Sequence, residues 1–274
     1  MKRTSALVLV AALSLSVSAQ GIGLIGSAGL EKQISKGFDA GFEAEYRLSD
    51  NFKSTDRWST GVSLSKRLYR NKAKTFTVKA SAGYKLIQVF EPYSTKYKGT
   101  DESISDNEEP QYYLDGHHKF NLTDAYSVFR HRFTASVQAG LNVGRFKISL
   151  RECFQYMHAD SVEVGRSKYR FKDNRWTVDN SEPVFKGSMD KMLLRSRIAL
   201  DYDIPHCKFD PFISYELYSD IKDNLSSDKT QFNAGVDFGF HKKHYFELAF
   251  IYQDKSDDDE PGGSYLSLGY TFKF

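Results

Sequence analysis

From Leu266 to the carboxy end, every second side chain is apolar or aromatic: Leu266, Leu268, Tyr270, Phe272 and Phe274. A period of two puts all five on one face of a β-strand and scatters them around a helix, so it dictates an extended chain with one apolar and one polar side. Read backward, the same pattern recurs over about 263–274, 244–254, 228–240, 208–220, 189–204, 145–157, 128–142, 74–90, 57–68, 37–48 and 22–34. Its apolar faces include Phe246, Leu248, Phe250 and Tyr252, then Phe232, Ala234, Val236, Phe238 and Phe240. Strands of soluble proteins usually run about 5–6 residues. Several of these hold their alternation for about ten or more, the length a tilted strand needs to cross a bilayer.

The amino end fits an exported chain. Met1-Lys2-Arg3 is basic, Ala6 to Val17 is apolar, and Ser16 to Ala19 ends on small residues, which predicts a secretory signal peptide over 1–20 and a β-barrel domain over 21–274. The apolar run falls short of the ~20 residues of a spanning helix. A negative mean hydropathy is compatible with a membrane barrel, whose lumen and loops are polar. Without Lys2 and Arg3 the 38 basic residues become 36, against 35 acidic, a balance that argues against nucleic acid as a partner. Cys153 and Cys207 are placed in a strand and in a turn, an arrangement that disfavours a disulfide.

With Phe274 in the periplasm, 241–243, 205–207 and 142–144 read as short periplasmic turns, and 254–262, 220–228 and 158–189 as extracellular loops. The segments number eleven, whereas bacterial single-chain barrels hold an even count. Taking Gln111 to Leu122 as a further strand makes twelve, which we favour; moving 22–34 out of the wall makes ten. The expected fold is thus all-β, an antiparallel transmembrane barrel.

Alternation aims a large set of charges inward. The basic positions are Arg57, Arg67, Lys79, Lys85, Arg130, Arg132, Lys147, Arg151, Lys191, Arg195 and Arg197; the acidic ones include Asp39, Glu43, Glu45, Asp201, Asp210, Glu216, Asp237 and Glu247. Two walls of opposite sign would select a polar solute, whereas arginines paired with carboxylates across the lumen would plug it. Glu152 falls on the lipid side, which calls for a local bulge or an internal pairing with Arg151.

Catalytic chemistry finds weak support. Ser127 and His131 share the lipid-facing parity, but no orienting acid or oxyanion hole accompanies them. His117-His118, His158 with Asp160, and the acidic run 254–260 match no established metal site. No metal or cofactor is expected. In 158–189, Arg166, Lys168, Tyr169, Arg170, Phe171, Lys172, Arg175 and Trp176 interleave bases with aromatics, a composition suited to glycans, lipopolysaccharide phosphates or a partner protein.

The ordered series LEKQISKGFDAGFEAEYRL near the front, RHRF (130–133), SLRECFQY (149–156), LLRSRIALDY (193–202), DPFISYELY (210–218), HYFELAFIYQ (244–253) and the LGYTFKF end resembles the uncharacterised Gram-negative outer-membrane β-barrel family called domain of unknown function 2490. The aromatic end also resembles the insertion signal of outer-membrane barrels, read by the barrel assembly machinery. The resemblance implies a barrel in the bacterial outer membrane, in contact with lipid and lipopolysaccharide, and supplies no catalytic or binding residues. The expected function is non-enzymatic: a narrow channel for small polar solutes, or a structural barrel presenting loops to a surface partner. A lipid-modifying hydrolase or acyltransferase is the alternative.

Overall fold

The computed structural model describes residues 21–98, 119–172, 175–241, 243–255 and 262–274. The expected signal peptide, 1–20, lies outside the described residues. In chain order the strands are β1 (Ile22–Ser35), β2 (Phe38–Ser49), β3 (Ser54–Arg70), β4 (Phe76–Glu91), β5 (Ser94–Lys98), β6 (Lys119–Thr123), β7 (Tyr126–Val143), β8 (Phe146–Ala159), β9 (Val162–Val164), β10 (Arg166–Lys172), β11 (Arg175–Ser181), β12 (Val184–Lys186), β13 (Met189–Tyr202), β14 (Phe209–Asp220), β15 (Ser226–Phe240), β16 (His244–Lys255) and β17 (Gly263–Lys273). The described residues contain no helix.

Eleven strands close into a barrel in the order β1-β17-β16-β15-β14-β13-β8-β7-β4-β3-β2. This corrects the expected count: the wall has neither twelve strands nor ten. The sheet is mixed rather than wholly antiparallel, because β1 and β17 pair in parallel from Ile22 opposite Ser264 to Glu31 opposite Lys273. An odd number of alternating strands brings the first and last together running the same way. A parallel ladder satisfies their backbone groups as fully as an antiparallel one would, so closure imposes no even count. Of the proposed twelfth strand, 111–118 lie outside the described residues, and 119–122 belong to β6, which pairs with β5 and β10 outside the wall.

Side chains sort across the wall as alternation requires. Leu30, Phe42, Val62, Leu64, Val137, Leu150, Ile213, Leu248, Leu266, Leu268 and Phe274 are exposed, while Arg47, Arg57, Gln155, Glu216, Gln253 and Ser267 are buried. This is the inverse of a soluble domain, and so much contiguous apolar surface calls for lipid or protein against it. Rings collect near the short turns. Phe146 meets Tyr202 at 4.8 Å, Phe209 meets Phe238 at 5.1 Å, and Phe246 meets Tyr270 at 5.1 Å. Tyr270 also bonds His244 Nδ1 at 2.9 Å, and Phe272 lies 5.8 Å from Phe274. Aromatic rings thus gather on the wall beside these turns.

The chain divides into two compact units: one of residues up to 87 with 131–157 and 191–274, the other of 88–130 and 158–190. The second unit holds structure where the sequence reads as loops. There, β11-β10-β6-β5 form a four-stranded sheet and β12-β9 a two-stranded one.

A charged lumen as the candidate functional site

The interior of the first unit contains a cavity of about 1030 Å³, lined by residues that include Glu43, Glu45, Arg132, Arg151, Arg195, Asp237 and Glu247. Its last strand shows how the wall is built. Ser267, Gly269, Thr271 and Lys273 face the cavity, while Leu266, Leu268 and Phe274 lie exposed between them.

From the middle of the strands toward the ends away from the short turns, a polar network runs from strand to strand. Arg151 Nη2 donates to Glu216 Oε1 at 2.7 Å, Arg195 Nε donates to the same oxygen at 3.0 Å, and Arg195 Nη1 donates to Gln155 at 2.9 Å. The Arg195 guanidinium lies 4.6 Å from the Tyr218 ring centre, and Tyr218 donates its hydroxyl to Gln231 Oε1 at 3.2 Å. Gln253 donates to that oxygen at 2.8 Å and accepts from Arg47 at 3.5 Å. Arg47 pairs with Glu45 and Asp56, Glu45 pairs with Arg57 and Lys85, and Lys85 also reaches Glu43 at 3.1 Å. The chain of contacts therefore joins β8, β13, β14, β15, β16, β2, β3 and β4. Each charge finds a counter-charge or a fixed dipole, which allows so many ionised groups inside a narrow wall.

Near the short turns the lining is different. Asp210 stands directly opposite Asp237, and Asp237 directly opposite Glu247, on three adjacent strands. All three line the cavity. Like charges directly opposite one another in a sheet repel, and among the described residues none of the three has an ion-pair partner. The other acids nearby are neutralised: Asp39 by Lys79 at 4.0 Å, Asp201 by Lys147 at 3.3 Å and Glu31 by Lys273 at 2.8 Å. Among the described residues, the wall thus carries an acidic ladder without a direct ion pair across β14, β15 and β16.

Among the other expected inward charges, Lys191 also lines the cavity. Arg130 belongs to the second unit and pairs with Glu91 at 3.8 Å, and Arg197 stands opposite Glu216 in the β13/β14 register. Glu152 is exposed on the outer face and accepts from Ser196 Oγ at 2.7 Å. Arg151 is engaged by Glu216, so the Ser196 hydroxyl on the neighbouring strand, rather than an Arg151–Glu152 pair, meets this carboxylate.

Tyr84 Oη and His131 Nδ1 are 2.8 Å apart, and Ser127 Oγ accepts from Gln88 at 3.1 Å. His158 lies between Asp190 at 2.8 Å and Asp160 at 3.7 Å. No group of three ligating side chains converges among the described residues; His117, His118 and 256–260 lie outside them. Cys153 and Cys207 are free thiols.

The family model described as protein of unknown function (DUF2490) matches residues 25–261. The chain belongs to this family. The match runs from within β1 to the connection before β17 and so takes in ten of the eleven wall strands, wholly or in part, together with the second unit. No curated protein matches the chain. Among solved structures, the translocator domain of the autotransporter NalP from Neisseria meningitidis is similar at a TM-score of 0.40 and 11% identity, over 92% of this chain and 89% of that one.

Proposed function

We propose that this protein is a bacterial outer-membrane barrel that conducts small polar solutes through a narrow lumen. The observation that carries the reading is the cavity of about 1030 Å³, lined in part by ionised side chains from many strands. A barrel with a purely structural role gains nothing from that space, since unfilled interior forfeits packing. The outer apolar face and the aromatic girdle supply the membrane contact. The Arg–carboxylate network narrows the path, and the acidic ladder beside the short turns sets its preference, because charge lining a pore controls which ions enter. The network also favours a second reading, a sealed structural barrel.

Single-channel recording of the purified protein in planar bilayers separates the two. We expect small, steady, cation-preferring conductance; silent bilayers despite verified insertion would leave the sealed barrel. Changing Asp237→Asn together with Glu247→Gln should lower the cation-to-anion permeability ratio. The same change should raise the unfolding temperature, since it relieves two like-charge pairs, Asp210/Asp237 and Asp237/Glu247, each worth about 0.2–1 kcal/mol. A ratio that stays constant would remove the ladder from the mechanism.

Orientation has its own test. Cys207 is exposed in the turn between β13 and β14, which the proposed orientation puts in the periplasm, and Cys153 is buried. In a Cys153→Ser background, a membrane-impermeant maleimide should label Cys207 only after the outer membrane is permeabilised. Labelling on intact cells would reverse the orientation.

A further inference from the structure

The sheet β11-β10-β6-β5 segregates its side chains by chemistry. Its register puts Lys168 opposite Asn121 and Asn121 opposite Lys96, with Arg170 opposite Lys119 in the next row of the same face. Arg166, two residues before Lys168, shares that face, and the Lys172 pairing brings Arg175 to it as well. Phe120, Tyr169 and Trp176 take the other face. There the Phe120 and Tyr169 rings stack at 4.6 Å and Trp176 meets Phe120 edge-on at 4.8 Å. The aromatic side supplies a rigid backing, and Asn121, buried on the basic side, is covered between two lysine-bearing strands.

Among the described residues, only two carboxylates pair with this basic face. Arg170 reaches Asp179 at 3.0 Å and Lys168 reaches Glu182 at 3.6 Å. Lys96, Lys119, Arg166 and Arg175 have no ion-pair partner there. Neighbouring strands lie about 4.8 Å apart, and same-face residues along a strand about 6.8 Å apart. Cations at these intervals suit an extended anion with several closely set charges, which each side chain meets by a charge-assisted hydrogen bond. A single small anion gains little, because the face is a surface rather than an enclosure.

We propose that this basic sheet face binds the phosphorylated headgroup of lipopolysaccharide. The inference rests on the outer-membrane reading above, in which the connections carrying these strands are extracellular and meet that polyanion. Acidic peptides and nucleic acid share the charge but lack that placement.

The test uses the full chain purified in detergent, with binding measured to lipopolysaccharide and to the same lipopolysaccharide after enzymatic dephosphorylation. Wild type should bind the phosphorylated form at least about tenfold more tightly, given what each charge-assisted contact contributes, and lose affinity as salt screens the charges. A variant with Lys96→Gln, Lys119→Gln, Arg166→Gln and Arg175→Gln should lose that preference, while Lys96→Arg with Lys119→Arg keeps it. Heat-modifiable gel mobility verifies folding, and single Gln variants replace the quadruple one should it misfold. Equal binding to both lipid forms, unchanged binding by the folded variants, or preference for an acidic peptide or nucleic acid overturns the proposal. Outer-membrane fractionation and conductance of the wild type are measured in parallel. A protein that fractionates there and conducts, yet ignores the phosphates, removes this inference and leaves the channel standing.

Discussion

Replacing Glu216 with glutamine costs the barrel about 3–5 kcal/mol, the range for removing one partner of a buried ion pair. Glu216 is 2% exposed and one of its oxygens serves both Arg151 and Arg195. Glutamine keeps the volume and one acceptor, but the two guanidinium groups then lie beside each other with no carboxylate between them. Arg195 retains Gln155 and the Tyr218 ring; Arg151 has no comparable substitute. The double change Glu216→Gln with Arg151→Gln should therefore melt higher than Glu216→Gln alone, a non-additive response that identifies a shared network. Thermal melting of the detergent-solubilised protein, followed by circular dichroism or heat-modifiable mobility, reads both effects. A single variant that melts with the wild type would mean that lumen water solvates the arginines and that the network is not structural.

Gly23→Val breaks the closing seam, at about 1–3 kcal/mol or more for forcing atoms into a filled site. A Cβ at position 23 would come within 2.6 Å of the Leu48 carbonyl oxygen and run into the Tyr265 ring. The carbonyl belongs to the neighbouring strand β2, so it cannot yield without distorting the sheet. Tyr265 is 3% exposed and held on its other side by the Arg47 guanidinium, 4.8 Å from its ring centre. Gly26 supplies the control in the same strand, since a Cβ there meets nothing within 4 Å. Gly26→Ala should melt close to the wild type while Gly23→Val loses the folded band at a much lower temperature. Similar behaviour of the two variants would show that the seam tolerates side chains generally and would undo the packing argument.

Much of the wall was readable from alternation, and the reason is local. Leu266, Leu268 and Phe274 face outward because a strand turns its side chains over at every residue, whatever it pairs with. The cavity-lining places of Glu43, Glu45, Arg151, Arg195, Asp237 and Glu247 follow from the same rule applied to longer strands. The second unit escaped it. Strands β9 and β12 have three residues each and β5 has five, too few alternations to stand apart from a loop, although the aromatic and basic interleaving of 166–176 carried the signal that became a two-faced sheet.

Partnership was the part that alternation left open. That Glu216 answers Arg151 follows from β8 lying beside β13 and β13 beside β14, and that Asp210, Asp237 and Glu247 form a ladder follows from the pairing registers of β14, β15 and β16. The eleven-strand count rests on β1 meeting β17, segments at opposite ends of the chain. Period two is a property of one stretch of backbone, so it survives in the order of the residues. Closure, register and charge pairing join distant stretches, and they exist once the sheet has curled and its last strand has found its first.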